Sequence, residues 1–309
     1  MKKSLLTILL CAACALSLHA AASYYDRGLL LMTQKNYRAA ISEFNKELKA
    51  RPRNGLAFIS RGEAFAKIEN YNMAIADYTK AIGIGGKAAT KAHPLRAEAY
   101  VALGDYKAAI LDYNIAINNS PNAEIYFGRG DAYFASQNYK AAADDYARAM
   151  EKDNAAIKGY LKRGKAYVSA SENAKGISDL TTYIKNDSQS GDAYLYLGDA
   201  YRNTGDSQRA LTNYAEAIKL IPQSREPYSH RAETYMKVGN KQGALADADK
   251  AVSLAPKDAA VYELRSRIYL SMGNEEKATQ DAQKACELGS CKLINELNSP
   301  ETKSNWWKF

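Results

Sequence analysis

RGDAYFASQNYKAAADDYARAM, residues 129–150, is the stretch that decides the fold of this 309-residue chain. The segment around Arg129 carries apolar residues at helical spacing. The segment after it follows an Ala-x3-Tyr-x2-Ala rhythm through Ala142, Tyr146 and Ala149. Both segments fit the i, i+3, i+4, i+7 pattern of an amphipathic helix. A few polar residues separate them, so the stretch predicts two helices joined by a short turn.

The same unit recurs along the chain at a nearly fixed period. The steps between equivalent positions are 34, 35, 33, 34, 34, 34 and 34 residues. An arginine marks this position in every copy except the sixth, where a leucine replaces it: Arg27, Arg61, Arg96, Arg129, Arg163, Leu197, Arg231 and Arg265. Such a period indicates a repeat architecture, which grows by adding units rather than by enlarging one core.

Eight units start near Ala21, Gly55, Thr90, Ala123, Ile157, Gly191, Arg225 and Ala259. In the sixth unit the pattern reads Tyr194, Leu197-Gly198, Tyr201, Ala210, Tyr214, Ala217 and Pro222. It resembles the tetratricopeptide repeat, a helix–turn–helix unit of about 34 residues. The resemblance implies an all-α fold, namely a right-handed superhelical solenoid of about eight helix-turn-helix units with a C-terminal capping helix. We expect the repeats to span residues 23–290 and the capping helix residues 291–298.

Residues 1–22 have the layout of a cleaved secretory signal peptide: two lysines, an apolar run and small residues. The apolar run is too short to span a bilayer comfortably, so no direct membrane span is expected. The sequence therefore predicts export to the periplasm or cell envelope. An alternative is a lipoprotein anchored through an acylated Cys14, although Cys11 stands where leucine is usual. Removal of Lys2 and Lys3 would lower the net charge from +8 to near +6.

Two further columns repeat with the arginines. An acid follows sixteen residues after each arginine, and in the sixth unit Asn213 stands opposite Leu197. Because the two columns change together, they indicate an arginine–carboxylate pair that joins the two helices of one repeat. A small residue follows each turn, as a close helix crossing requires. These residues are Ala40, Ala74, Ala109, Ala142, Gly176, Ala210, Ala244 and Ala278.

The third repeat departs from the pattern at its start. Gly83, Gly85 and Gly86 precede its first helix, and Pro94 falls inside the helical pattern. Since proline is tolerated in a first turn and disrupts a helix interior, we expect a first helix that is shortened at its start.

The candidate binding surface lies on the first helices, on the face that points away from the repeat core. The positions five before, two before, two after and five after each arginine share this face. The predicted groove residues, read from the last three positions, are Ile59, Glu63, Glu98, Val101, Phe127, Asp131, Phe134, Leu161, Lys165, Val168, Leu195, Asp199 and Glu233. Apolar surface edged by charge is typical of an interaction site. The alternative is that these side chains only pack against neighbouring first helices.

The acids of this surface favour a partner segment that carries apolar and some basic side chains. One subtype of the resembled family binds acidic chaperone tails through lysine, arginine and asparagine on this face. The matching positions here are mainly acids and aliphatics, so that function is not carried over. An acidic groove, export and a mild net charge also argue against a nucleic-acid partner.

The C-terminal region contains the two cysteines of the mature chain, Cys286 and Cys291. In an oxidising compartment they are candidates for a disulfide near the capping helix. Residues 299–309 follow as a polar tail that holds both tryptophans of the chain. Trp306, Trp307 and Phe309 are candidate docking residues, either on this chain or on another molecule.

Nothing in the sequence indicates catalysis. No nucleophile has a paired base, no phosphate-binding loop is present, and His93 and His230 have no ligand-spaced partners. Two cysteines without a nearby histidine do not form a four-ligand zinc site, so no metal or cofactor is expected. The sequence therefore predicts a non-catalytic scaffold that binds a protein or peptide in the cell envelope. A structural assembly factor, such as a lipid-anchored outer-membrane or pilus biogenesis component, is the alternative.

Overall fold

The computed structural model describes residues 23–153 and 157–298. Within these ranges all regular structure is α-helical, and the helices follow one another in consecutive packed pairs. The chain divides into two compact units, residues 1–154 and 155–309. The predicted signal peptide, Cys14 and the aromatic tail lie outside the described residues.

The first unit holds four helix pairs, one for each of the first four repeats of the sequence. The pairs are α1 (Tyr24–Thr33) with α2 (Tyr37–Ala50), α3 (Gly55–Lys67) with α4 (Tyr71–Ile84), α5 (Gly86–Ala102) with α6 (Tyr106–Asn119), and α7 (Ala123–Ala135) with α8 (Tyr139–Lys152). The second helix of each pair packs on the first helix of the next pair within the unit.

The second unit repeats this arrangement and adds one short helix. The pairs are α9 (Ile157–Ser169) with α10 (Asn173–Asn186), α11 (Gly191–Asn203) with α12 (Ser207–Leu220), α13 (Glu226–Lys237) with α14 (Lys241–Leu254), and α15 (Ala259–Ser271) with α16 (Glu275–Glu287). Helix α17 (Lys292–Asn298) packs on α16 through Leu293, Ile294 and Leu297, as expected of a capping helix.

Each turn between the two helices of a repeat uses the same local chemistry. A residue in the left-handed region comes first, for example Gln137 with φ 64° or Gly205 with φ 87°. An Asn or Asp follows in seven of the eight turns, and its side chain accepts the backbone N–H three residues on. This N-cap satisfies one of the unpaired donors of the helix start and contributes about 1 kcal/mol. The exception is Glu172, which makes no side-chain cap.

Inside each repeat a glycine commonly faces a large side chain of the second helix. A Cβ built on Gly130 would lie 2.6 Å from Tyr146 Cε1, and one on Gly198 would lie 2.6 Å from Tyr214 Cε1. The two backbones therefore approach closely at this point. The small residues that follow the turns are also buried, as the sequence predicted.

The predicted arginine–acid pairs are confirmed in the seven repeats that carry them. Arg27 donates to Glu43, and six arginines donate through Nε and Nη2 to both oxygens of an aspartate at 2.6–2.9 Å. The guanidinium of Arg129 also lies 5.8 Å from the ring centres of Tyr126 and Tyr133. These pairs join the first helix of a repeat to the second, so the arginine column is structural.

The expected shortening of the third repeat's first helix is wrong. Helix α5 has 17 residues and continues through Pro94. Its extra first turns bury Ala88 and Ala92 in a cluster with Ile59 and Tyr78. The burial of these small residues against the preceding repeat stabilises the additional turns, although proline removes one helical hydrogen bond.

Candidate functional site

The apolar members of the predicted groove are mostly packed within the repeats. Ile59, Phe127, Val168 and Leu195 are only 5–7% exposed. Ile59, Val168 and Leu195 belong to apolar clusters with other helices of their unit, and Phe127 packs on Tyr146. These contacts explain the second apolar face. Three others, Val101, Phe134 and Leu161, are half-buried.

An acidic cavity of about 520 Å³ opens between the first helices of the first unit, α1, α3, α5 and α7. Three predicted groove residues line it: Ile59, Glu63 and Glu98. Among the other side chains that line it are Tyr25, Leu56, Lys91, Leu95, Tyr113, Glu124 and Ile125. Apolar walls thus surround three carboxylates and one ammonium group, which makes the cavity net acidic.

The carboxylates of Glu63 and Glu98 have no hydrogen bond or ion pair to any part of the chain that the structure describes. Burial raises the pKa of Glu63, and the more distant charges of Lys67 and Lys91 offset this only in part. Burial also raises the pKa of Glu98, and repulsion from Glu124 adds to the effect. Both shifts mean that nearby positive charge does not fully offset the burial of the ionised carboxylates. A cation placed in the cavity would stabilise them.

The cavity also offers a hydroxyl group. Tyr113 lines it, and burial together with the nearby charges of Glu98 and Asp131 raises the pKa of its phenol. The hydroxyl therefore stays protonated at neutral pH and is able to donate a hydrogen bond. On the opposite side, the hydroxyl of Tyr25 lies 3.4 Å from Ser60 Oγ.

In the second unit the predicted charged residues bind other repeats. Lys165 Nζ lies 3.0 Å from Asp192 Oδ2 and 4.7 Å from the ring centre of Tyr196. Arg202 forms an ion pair with Glu233 and so links the sixth and seventh repeats. These charges hold adjacent first helices together.

Asp199 has the densest set of partners among the predicted groove residues. Its Oδ1 atom accepts the hydroxyl of Tyr214 at 2.8 Å and lies 2.7 Å from His230 Nδ1. Arg202 Nη2 is 3.5 Å from the same oxygen. Since Asp199 is buried and His230 belongs to the next repeat, the carboxylate joins the two repeats from inside.

Asp131 and Phe134 contact the second helix of their own repeat. Asp131 Oδ1 accepts the hydroxyl of Tyr146 at 2.7 Å. The ring of Phe134 lies edge-on to Tyr139, with the centres 5.2 Å apart. The geometry therefore places both residues in contacts that support α8.

A second cavity, the C-terminal cavity, lies between α13, α15 and α17 and has a volume of about 710 Å³. Its walls are mainly apolar, and charged side chains stand among them. The lining residues are Glu233, Met236, Leu264, Arg267, Ile268, Leu270, Lys292, Leu293, Glu296 and Leu297. Cys286 and Cys291 form a disulfide that closes the turn between α16 and α17.

Leu56, Lys91 and Glu124 are among the lining residues of the acidic cavity that the sequence prediction does not contain. Each stands five positions before an arginine, in a column of the same helix face from which no groove residue was predicted. Reading that column would have identified all three. One side of the C-terminal cavity follows from the same helix face, because Glu233, Met236, Arg267 and Leu270 stand two or five positions after an arginine. The wall formed by α17 lies outside the repeat pattern and could not be found in this way.

The described residues contain no group of three or more His, Cys, Asp or Glu side chains arranged to hold a metal ion. Among the helices of residues 23–153 and 157–298, none has the length and apolar character needed to cross a membrane.

Comparison with protein families gives a match along most of the chain. Two family models match, both described as tetratricopeptide repeat: one covers residues 25–91, 95–157 and 161–225, and the other covers residues 226–258 and 259–288. No curated protein matches the chain.

Several solved structures share the fold. A tetratricopeptide repeat protein from Parabacteroides merdae ATCC 43184 is 20% identical with a TM-score of 0.66, covering 79% of this chain and 96% of that one. PilW, described as a widely conserved type IV pilus biogenesis factor, is 16% identical with a TM-score of 0.62, covering 70% and 100%. Cut9–Hcn1, a hetero-tetramer of APC/C, is 13% identical with a TM-score of 0.60, covering 92% and 55%. At these identities the likeness concerns the fold alone.

Proposed function

The chain belongs to the tetratricopeptide repeat family, whose repeats serve as protein-interaction scaffolds, and on that premise we propose that its acidic cavity binds a partner protein. The bound element is an extended segment with apolar and basic side chains. The observation that carries the proposal is the cavity between α1, α3, α5 and α7, where Glu63 and Glu98 lack partners within the described residues.

The shape of the cavity suits a side chain that is apolar along its stem and charged at its end. Leu56, Leu95 and Ile125 provide apolar contact, and Glu63 and Glu98 provide the charge complement. Lysine and arginine have this construction, since their methylene stems pack on apolar surface while the charged group reaches a carboxylate. Complementary charge adds specificity and faster association more than affinity alone.

Selection from a random peptide display library tests this proposal. Peptides enriched on the wild-type chain are expected to combine apolar residues with lysine or arginine. On the double variant Glu63→Gln/Glu98→Gln the basic preference should disappear, because the amides keep the shape and remove the charge. The matched control Glu151→Gln changes an exposed acid of α8 outside the cavity and should leave the preference unchanged. Enrichment of acidic peptides on the wild-type chain would refute the proposal.

The scaffold acts without catalysis in this proposal, and its location is the cell envelope. The signal-peptide pattern of residues 1–22 supports export. The disulfide between Cys286 and Cys291 fits an exported chain, because structural disulfides persist in oxidising compartments. Fractionation of cells with an antibody to the chain tests the location, and recovery only from the cytoplasm would contradict it.

An assembly factor anchored through Cys14 remains the second candidate function. Its support is the sequence around Cys14, where Ala12 and Ala13 precede the cysteine. Intact mass spectrometry of the mature chain separates the two candidates. A chain that begins after Ala20 or Ala22 favours the unanchored scaffold, whereas an acylated Cys14 favours the assembly factor.

A further inference from the structure

The C-terminal cavity is a concave apolar surface at the last repeat, separate from the acidic cavity. Met236 on α13, Leu264 and Leu270 on α15, and Leu293 and Leu297 on α17 supply its apolar walls. Met236, Leu264 and Leu270 are only partly buried, so they keep accessible apolar surface. A volume of about 710 Å³ falls within the range of about 300–1,000 Å³ of ligand-binding cavities.

We propose that this cavity is occupied by residues 299–309 of the same chain, with Trp306 and Trp307 as the anchoring side chains. The proposal does not depend on the acidic cavity or on its partner. Large aromatic side chains bury about 150–250 Å² each, which suits an apolar cavity of this size. The thioether of Met236 adapts its shape and makes favourable contacts with aromatic rings.

The position of α17 makes this segment the natural occupant. Lys292, Leu293, Glu296 and Leu297 form one wall of the cavity, and the helix ends at Asn298. Residues 299–309 therefore start beside the cavity. Eleven residues reach up to about 36 Å when extended, which far exceeds the width of a cavity between three neighbouring helices. A short tether also raises the local concentration of the tryptophans to the millimolar range.

The charges around the cavity match those of the tail. Arg267 and Lys292 stand beside the apolar walls, where a cation lies well placed over the face of a tryptophan ring. The tail carries Lys303 and Lys308 together with Glu301, and both signs of charge are present in the lining. Occupation would cover the apolar surface of the last repeat, which a solenoid end needs for solubility.

Tryptophan fluorescence of the full chain tests the proposal directly. Trp306 and Trp307 are the only tryptophans in the sequence, so the emission reports on the tail alone. In the native chain we expect a blue-shifted emission and a several-fold lower acrylamide quenching constant than in the same chain in denaturant. Native emission and quenching equal to those of the denatured chain would overturn the proposal.

A pair of matched variants locates the binding surface. Leu264→Glu places a charge in the cavity wall and should shift the emission to the red and restore quenching to the denatured level. Val238→Glu changes a residue outside the cavity that is 51% exposed and should leave the emission unchanged. If Leu264→Glu stays folded by circular dichroism and keeps the native emission, the cavity is not the docking surface and the proposal fails. If it unfolds, Arg267→Glu at the rim replaces it with the same expectation.

Dilution separates the chain's own tail from that of a second copy. A blue-shifted emission that stays constant on dilution identifies an intramolecular contact. Loss of the blue shift on dilution, together with a fall in molecular mass by light scattering, would identify a second copy as the source of the tail and overturn the proposal.

Discussion

In the first unit Glu63 and Glu98 face an open cavity, whereas in the second unit Asp199 binds a side chain of the following repeat. All three residues stand two positions after the arginine column, so their place on the first helix is the same. One position of the repeat therefore faces a cavity in the second and third repeats and ties neighbouring repeats together in the sixth.

For Asp199 and Lys165 the contact comes from the residue one position before the arginine column in the next repeat. That residue is His230 opposite Asp199 and Tyr196 opposite Lys165, and both make the contacts described above. In the first unit the equivalent residues are Leu95 and Gly128, which offer no side-chain donor. The carboxylates of Glu63 and Glu98 therefore receive no hydrogen bond from that position. The pairing of an acid on this face thus depends on two repeats together.

The largest effect is expected from the arginine–acid pairs that both units share. Arg129→Ala removes the bidentate partner of Asp145, whose side chain is only 2% exposed, and leaves only the exposed Arg148 near its charge. Removing one partner of a buried pair costs about 3 kcal/mol or more, and denaturant unfolding measures this loss. Arg148→Ala removes an exposed arginine 3.5 Å from the same aspartate and should change stability by less than about 0.5 kcal/mol. Equal losses of stability in the two variants would contradict a structural role of the arginine–acid pairs.

The next effect separates the two uses of the shared position. Asp199→Ala removes the acceptor of the buried Tyr214 hydroxyl and the partner of His230. An unsatisfied buried donor costs about 1–3 kcal/mol, so we expect a loss of about 2 kcal/mol. Glu98→Ala should change stability by less than about 0.5 kcal/mol, since no described residue pairs with it. Hydrogen exchange by mass spectrometry measures the stability of each unit separately. Similar losses of stability in Asp199→Ala and Glu98→Ala would contradict the distinction between a tying acid and an unpaired one.

A pH titration sharpens the comparison further. The pKa of Glu63 and that of Glu98 are raised from their ordinary value of 4.5, so the folded state binds protons more tightly than the unfolded chain. The stability that this provides is fully present below pH 4.5 and is lost as the pH rises through the raised pKa values. Protection of residues 23–153 against hydrogen exchange, corrected for the intrinsic pH dependence of exchange, should fall as the pH rises through these pKa values.

The variant Leu95→Lys tests the cause of this pH dependence. A lysine across from Glu63 would lower the pKa of that carboxyl and lessen the loss of stability with pH. Leu111→Lys places the same charge at a site that is 59% exposed on α6 and should leave the titration unchanged. A pH profile of Leu95→Lys identical to that of the wild type would contradict the proposed role of the neighbouring repeat.

The smallest effect concerns the turns, where the units also differ. Lys35, Glu69 and Gln137 adopt the left-handed region in the first unit, and glycine does so in three turns of the second. A residue with a side chain costs about 1–2 kcal/mol in this region, and glycine does not. Part of that advantage is lost because glycine gives up more conformational entropy on folding. Gln137→Gly should therefore stabilise the chain by about 0.5 kcal/mol. The reverse change Gly205→Gln should destabilise it by a similar amount, measured as shifts in the denaturation midpoint.

Much of the fold could be predicted because the sequence repeats the same pattern eight times. The arginine and acid columns, the small residues after the turns and the helix pairs all follow from contacts inside one repeat or with the next. Pro94 shows where this reasoning failed. Local propensity predicts a short helix there, but burial of Ala88 and Ala92 against the preceding repeat outweighs the cost of the proline.

The sequence alone determined the all-α repeat fold, the arginine–acid pairs and which residues share one face of each first helix. The tertiary structure decided which residues of that face remain accessible. Phe127 and Leu195 share the pattern of the predicted groove yet are buried, while Glu63 and Glu98 open into a cavity. The physical reason is that exposure and pairing depend on the side chains of the neighbouring repeat. Helical periodicity within one repeat carries no information about those neighbours.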